Sequence, residues 1–211
     1  MGLAATLLLA LVVAGSPGKP RKLKNMPDGW TWPPSAAMKE AGTRCIAGLD
    51  AAQVEHRPGE PLRKVATPIV VPDLKIGGVT LVPLRGKGPF TMDCHLAAAI
   101  AGVAPELRAL GVRSLHFRTL HMYRAVRKRG KSMRFLSRHA LGLAVDVFEV
   151  GFDDGEVLRV EAHWSRAGRR LARVAEVFEQ AAAFRTPLTP ANDPRDHGDH
   201  LHLEAHMRLE R

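Results

Sequence analysis

The chain has 211 residues, 45% of them hydrophobic, which suits one domain with a buried core and leaves two full domains cramped. Its formal charge of +10 favours an anionic partner, and for an exported chain that includes cell-envelope polymers as well as nucleic acid.

From Leu3 to Val13 the chain is apolar over a stretch too short to cross a bilayer comfortably, and Ala14, Gly15 and Ser16 offer small residues for cleavage. Residues 1–16 are therefore read as an export signal. The basic residues Lys19, Arg21, Lys22 and Lys24 follow this run instead of preceding it, as in an uncleaved anchor; the cleaved reading is preferred, and no span is expected in the mature form. From Gly15 to Ala36 the chain is rich in Pro, Gly and basic residues, so residues 17–40 are expected to be a linker and residues 41–211 the folded domain.

Between Ala41 and Arg85, short apolar pieces such as Pro68 to Val71 and Val79 to Pro83 are broken by Pro72 and Gly77-Gly78, which predicts small strands and turns. Thr91 to Leu110 reads as a helix with cap candidates Thr91 and Asp93 and a break near Pro105. Cys94 lies in its first turn. In an oxidising compartment Cys45 and Cys94 are expected to be bonded, the alternative being two buried thiols. Val112 to Tyr123 and Gly142 to Phe148 read as strands, and Glu161 to Phe184 as one amphipathic helix. A loop from Thr186 to Gly198 precedes a terminal strand from His200 to Leu209.

The chemistry concentrates in two places. In His139-Ala140-Leu141-Gly142-Leu143-Ala144-Val145-Asp146 a nitrogen ligand and an oxygen ligand flank a turn that Gly142 permits, and alternation puts Ala144, Asp146 and Phe148 on one face. In His197-Gly198-Asp199-His200-Leu201-His202 the same alternation points His200 and His202 into one space. An H-x-H alone is more simply a polar stripe on an edge strand. If the two strands are neighbours, however, His139, Asp146 and His202 close three corners of a tetrahedron and leave the fourth to water.

Ser137-Arg138-His139-Ala140-Leu141-Gly142-Leu143-Ala144-Val145-Asp146 matches the S-x-H-x-x-G-x-A-x-D pattern of the D-Ala-D-Ala carboxypeptidase and hedgehog-type zinc peptidase superfamily, and His200-Leu201-His202 matches its later H-x-H. Within it the chain most resembles the extensin-like C-terminal domain group, over roughly Cys45 to Glu204. The resemblance implies an α+β fold, with a small antiparallel sheet carrying the metal site and helices flanking it, and Zn2+ held by His139, Asp146 and His202. It also implies a general base, by position either His200 or Asp199; His197 would orient substrate or stabilise the oxyanion. Tyr123 is not followed by the Cys-Arg common in that group, so the arginine that would grip a substrate carboxylate falls on Arg124 or Arg127.

Gly130-Lys131-Ser132 ends like a phosphate-binding loop but lacks the required first glycine, Ala125 standing in its place. The basic cluster from Arg124 to Arg138 has no interleaved aromatics apart from Phe135, which argues against nucleic acid. Trp30 and Trp32 are expected to dock onto the core. The resulting expectation is an exported, monomeric zinc peptidase or amidase acting on peptidoglycan; the alternative is a non-catalytic wall-binding module of the same fold.

Overall fold

The computed structural model describes residues 25–165, 168–207 and 209. The expected signal, residues 1–16, lies outside them, as does the linker up to residue 24. Helix α1 (Ala36–Ala51) opens the regular structure; strands β1 (Arg57–Pro58), β2 (Pro68–Val70), β3 (Lys75–Ile76), β4 (Val79–Pro83) and β5 (Thr91–Asp93) follow. Helix α2 (Cys94–Ala109) leads to β6 (Val112–Thr119), the hairpin β7 (Ala125–Lys128) and β8 (Lys131–Leu136), and the long strand β9 (Ala144–Phe152). Strand β10 (Val157–Arg159), helices α3 (Val160–His163) and α4 (Gly168–Gln180), and β11 (Leu201–Glu204) complete the α+β chain.

Among the described residues the main sheet has the order β10-β9-β6-β4-β3, with β11 also paired to β9. Its pairs are antiparallel except β4 with β6. Strand β9 is the hub, with β6 on one side and β10 and β11 on the other. Val145, Val147, Leu201 and Leu203 point into a core shared with Leu49 of α1, Ile100 and Leu107 of α2, and Leu171, Val174 and Phe178 of α4. The helices therefore cover one face of the sheet, and Asp146 and His202, one residue out of phase, face the other.

Four expectations are corrected. Residues 36–40 are helical, not linker: Ser35 caps α1 by accepting from Met38 N, and Met38, Ala41, Cys45 and Leu49 recur at helical spacing on its buried side. Upstream, Met26 and Trp30 pack against Met38, Leu141, Leu143 and Met207, so this part of the arm is docked; Trp32 stays exposed. Helix α2 runs through Pro105 without ending, because the burial of Val103, Ala104 and Leu107 outweighs the roughly 3 kcal/mol that an interior proline costs. Finally, the helix expected over residues 161–184 is two, α3 and α4, and Phe184 leaves the helix to stack edge-on with Phe178. The apolar spacing continues in phase across the turn at Trp164 and Ser165, so periodicity could not register it.

Cys45 and Cys94 are bonded, with Cα atoms 6.1 Å apart, tying α1 to the first residue of α2. Gly42 of α1 sits where a Cβ would lie 2.3 Å from Thr67 Oγ1, so this close helix approach requires glycine.

Candidate metal centre

The residues from Ser137 to Asp146 form a device for presenting two side chains. Ser137 Oγ accepts from His139 N and caps a single 3-10 turn, Arg138–Leu141. Gly142 ends it at φ 68°, and a Cβ there would fall 2.7 Å from Asp93 N. Asp93 N in turn donates to Gly142 O, so the turn is pinned to the start of α2. The chain then enters β9 at the fully buried Ala144, which places Asp146 opposite His202 of β11 and Thr119 of β6.

Asp146 Oδ1 lies 3.0 Å from His139 Nε2 and 2.7 Å from His202 Nδ1, and all three residues are buried. Each imidazole already donates its other N–H, from His139 Nδ1 to Leu120 O and from His202 Nε2 to Glu204 Oε1. In neutral rings the inward nitrogens therefore carry lone pairs, so three electron-pair donors converge on one point. Such a set needs a cation, and two imidazoles with one carboxylate suit zinc.

The electrostatics of the metal-free cluster express the same need through protons. Burial acts to lower the pKa of His202, but the carboxylates of Asp146 and Glu204 outweigh it and raise it to about 9. For Asp146 burial acts upward, and the charges and hydrogen bonds of His139 and His202 hold it well below the ordinary carboxylate value. Glu204 is likewise held at about 2 against its burial, by His202, Arg185 and Arg138.

His200 Nε2 stands 3.6 Å from Asp146 Oδ1, and its Nδ1–H donates to Asp199 Oδ1 at 2.6 Å. Its ring stacks on Phe148 of β9, and Arg118 of β6 lies over the Phe148 ring at 3.8 Å, so the imidazole rests on an aromatic ring that β6 also packs against. His197 donates Nδ1–H to Asp193 Oδ2, and burial together with His202 and His200 lowers its pKa.

These groups line an open cleft of about 510 Å³, which Arg124, just before β7, and Arg127 of β7 also line. Neither arginine makes an ion pair among the described residues. The structure thus brings together His139, Asp146, His202, His200 and His197, places Asp199 behind His200, and has both candidate arginines line the same cleft. Gly130, Lys131 and Ser132 fall at the turn and start of the hairpin, with no helix after them.

Several residues escaped the sequence reading. Glu204 backs His202, and its place two residues along the same strand was a usable signal. Arg185 bonds Glu204 and Asn25, Asn25 O accepts from Arg138 Nε, and Leu188 covers the edge of β11 beside His202. The edge is therefore not exposed. No local pattern marks Asn25, Arg185 or Leu188.

The model of the family described as Extensin-like protein C-terminus matches residues 43–211. No curated protein and no solved structure matches the chain.

Proposed function

Starting from a chain that belongs to the family described as Extensin-like protein C-terminus, we propose that it is an exported zinc-dependent hydrolase of the peptidase or amidase type, acting on peptide bonds of peptidoglycan. Its place in the D-Ala-D-Ala carboxypeptidase and hedgehog-type superfamily belongs to the same proposal and rests on the paired motifs. The disulfide is compatible with export, and among the described residues no helix is long and apolar enough to cross a membrane.

The observation that carries the reading is the convergence of His139 Nε2, His202 Nδ1 and Asp146 Oδ1 beside a free nitrogen of His200, within one cleft. Zinc bound by the first three supplies polarisation of a carbonyl and a lowered pKa for a water. Because Asp199 takes the Nδ1–H of His200, the lone pair of that ring is kept on Nε2, which faces the cleft. His200 is then the general base, removing a proton from water and returning it to the leaving amine. Asp199 is a positioning residue that acts through His200. His197, its N–H committed to Asp193, presents a lone pair and accepts a substrate N–H; it is not an oxyanion donor. Arg124 and Arg127 offer planar forks to a substrate carboxylate.

The test is incubation of purified sacculi with the protein, with and without chelator. Release of muropeptides that chelator abolishes is expected. Binding to sacculi without release by the zinc-loaded protein would instead make the chain a wall-binding module.

A further inference from the structure

We propose that His197, His200 and His202 form a second, outer cation-binding set that overlaps the inner set of His139, Asp146 and His202; the proposal rests on the metal-centre reading above. One ligand atom from each of the three imidazoles lies within 4.8 Å of the others, and the ring of His197 is 5.0 Å from His200 and 5.2 Å from His202. Each ring also has a carboxylate behind it: Asp193 for His197, Asp199 for His200 and Glu204 for His202, at 2.6–3.0 Å. That backing fixes a tautomer and turns the remaining lone pair inward, as metal-ligating histidines require. Proton transfer accounts for the His200–Asp199 pair and the inner set for the His202–Glu204 pair, but neither requires a third backed imidazole, His197, aimed at the same space.

The two sets differ in access and in charge. All three inner ligands are buried, whereas His197 and His200 are half-buried and line the cleft, so an ion arriving from solvent meets the outer set first. The outer set is three neutral imidazoles, while the inner set includes the Asp146 carboxylate, so a dication is held more tightly inside. His202 belongs to both and commits Nε2 to Glu204, leaving one nitrogen to share. The pocket therefore takes one ion at a time. An ion in the outer set occupies the His200 nitrogen needed for proton transfer, so that position is a loading station and catalytically silent.

Zinc alone is the probe, with stoichiometry and affinity read by calorimetry and elemental analysis, and uptake followed with a chromophoric chelator. The full chain should bind one zinc tightly. His139→Gln or Asp146→Asn, each removing an inner ligand with little change of volume, should still bind one zinc, on the order of 100-fold more weakly or worse, and adding His197→Ala should abolish that binding. His197→Ala alone should keep one tight zinc but take it up about 10-fold more slowly; since His197 lies in a loop at the cleft, this variant tests the idea even if the buried ones fail to fold. Folded inner-set variants with no zinc, or unchanged uptake by His197→Ala, would overturn the outer set and leave the inner one standing. Failure of the unaltered chain to bind zinc would overturn both.

Discussion

At His200 and Asp199 the proposed division between a group that moves a proton and a group that aims it can be read from kinetics. His200→Ala should keep stoichiometric zinc in the inner set and lose turnover by about 10²–10⁴-fold, the range for a positioned acid–base group. Asp199→Asn removes the carboxylate that orients Nδ1–H but leaves the base, so a loss of about 10–100-fold is expected. Activity measured beside metal content separates these outcomes, and a larger loss for Asp199→Asn would make the carboxylate the base. The same cluster sets a pH signature in the metal-free chain. His202 has a folded pKa of about 9 against an ordinary 6.5, so its contribution to stability is full below 6.5 and is lost as pH rises through about 9. Glu204, at about 2 against 4.5, contributes fully above 4.5 and is lost as pH falls toward 2; Asp146 adds to the same acid limb. In chelator the midpoint of thermal unfolding should therefore peak between about 4.5 and 6.5, and zinc should stabilise more strongly toward pH 9, where it no longer competes with a proton on His202.

The elements that carry the site are short, and a few close contacts hold them in place. The 3-10 turn at Arg138–Leu141 is pinned through Gly142, where left-handed backbone and a backbone neighbour 2.7 Å from any added Cβ coincide. Gly142→Ala should cost about 2–4 kcal/mol in urea unfolding, from strain and overpacking together, and should weaken zinc binding because His139 moves with the turn. Strand β9 needs no such device, since β6, β10 and β11 fix its register from both sides. Its alternation was legible in the sequence, and so was that of β11, because period-2 patterning is local. Helix α1 was hidden by Gly42, Gly48 and Thr43, weak helix formers; its contacts with Thr67 and α2 favour the helix in place of intrinsic propensity.

In the whole molecule the helical layer and the sheet face that carries the histidine–aspartate cluster lie on opposite sides, so they should respond differently. Reducing the Cys45–Cys94 bond, which spans 49 residues, should lower stability by about 4 kcal/mol in a chain-entropy estimate. Zinc affinity should fall much less than stability, since the bond reaches the site only through Asp93, the neighbour of Cys94 that bonds Gly142 O; parallel unfolding and zinc titrations with and without reductant check both halves. The arm works in the other direction, because Asn25 bonds Leu136 O, Arg138 and Arg185 and so buttresses the site from outside the matched region, residues 43–211. By itself the sequence pointed to the disulfide partners, to the five histidine and aspartate side chains that cluster, and to the shared face of Asp146 and His202 on their strands. These follow from residue type, short spacing and alternation, all of which act within a few residues. Only the tertiary structure decided that Asp146 and His202 stand opposite each other, that Asp193, Asp199 and Glu204 back three of the imidazoles, and that Arg118, Arg185 and Asn25 support them. Each of those contacts depends on how strands and loops pack, and packing is set by the summed burial of the core, which leaves no local mark at the residues it brings together.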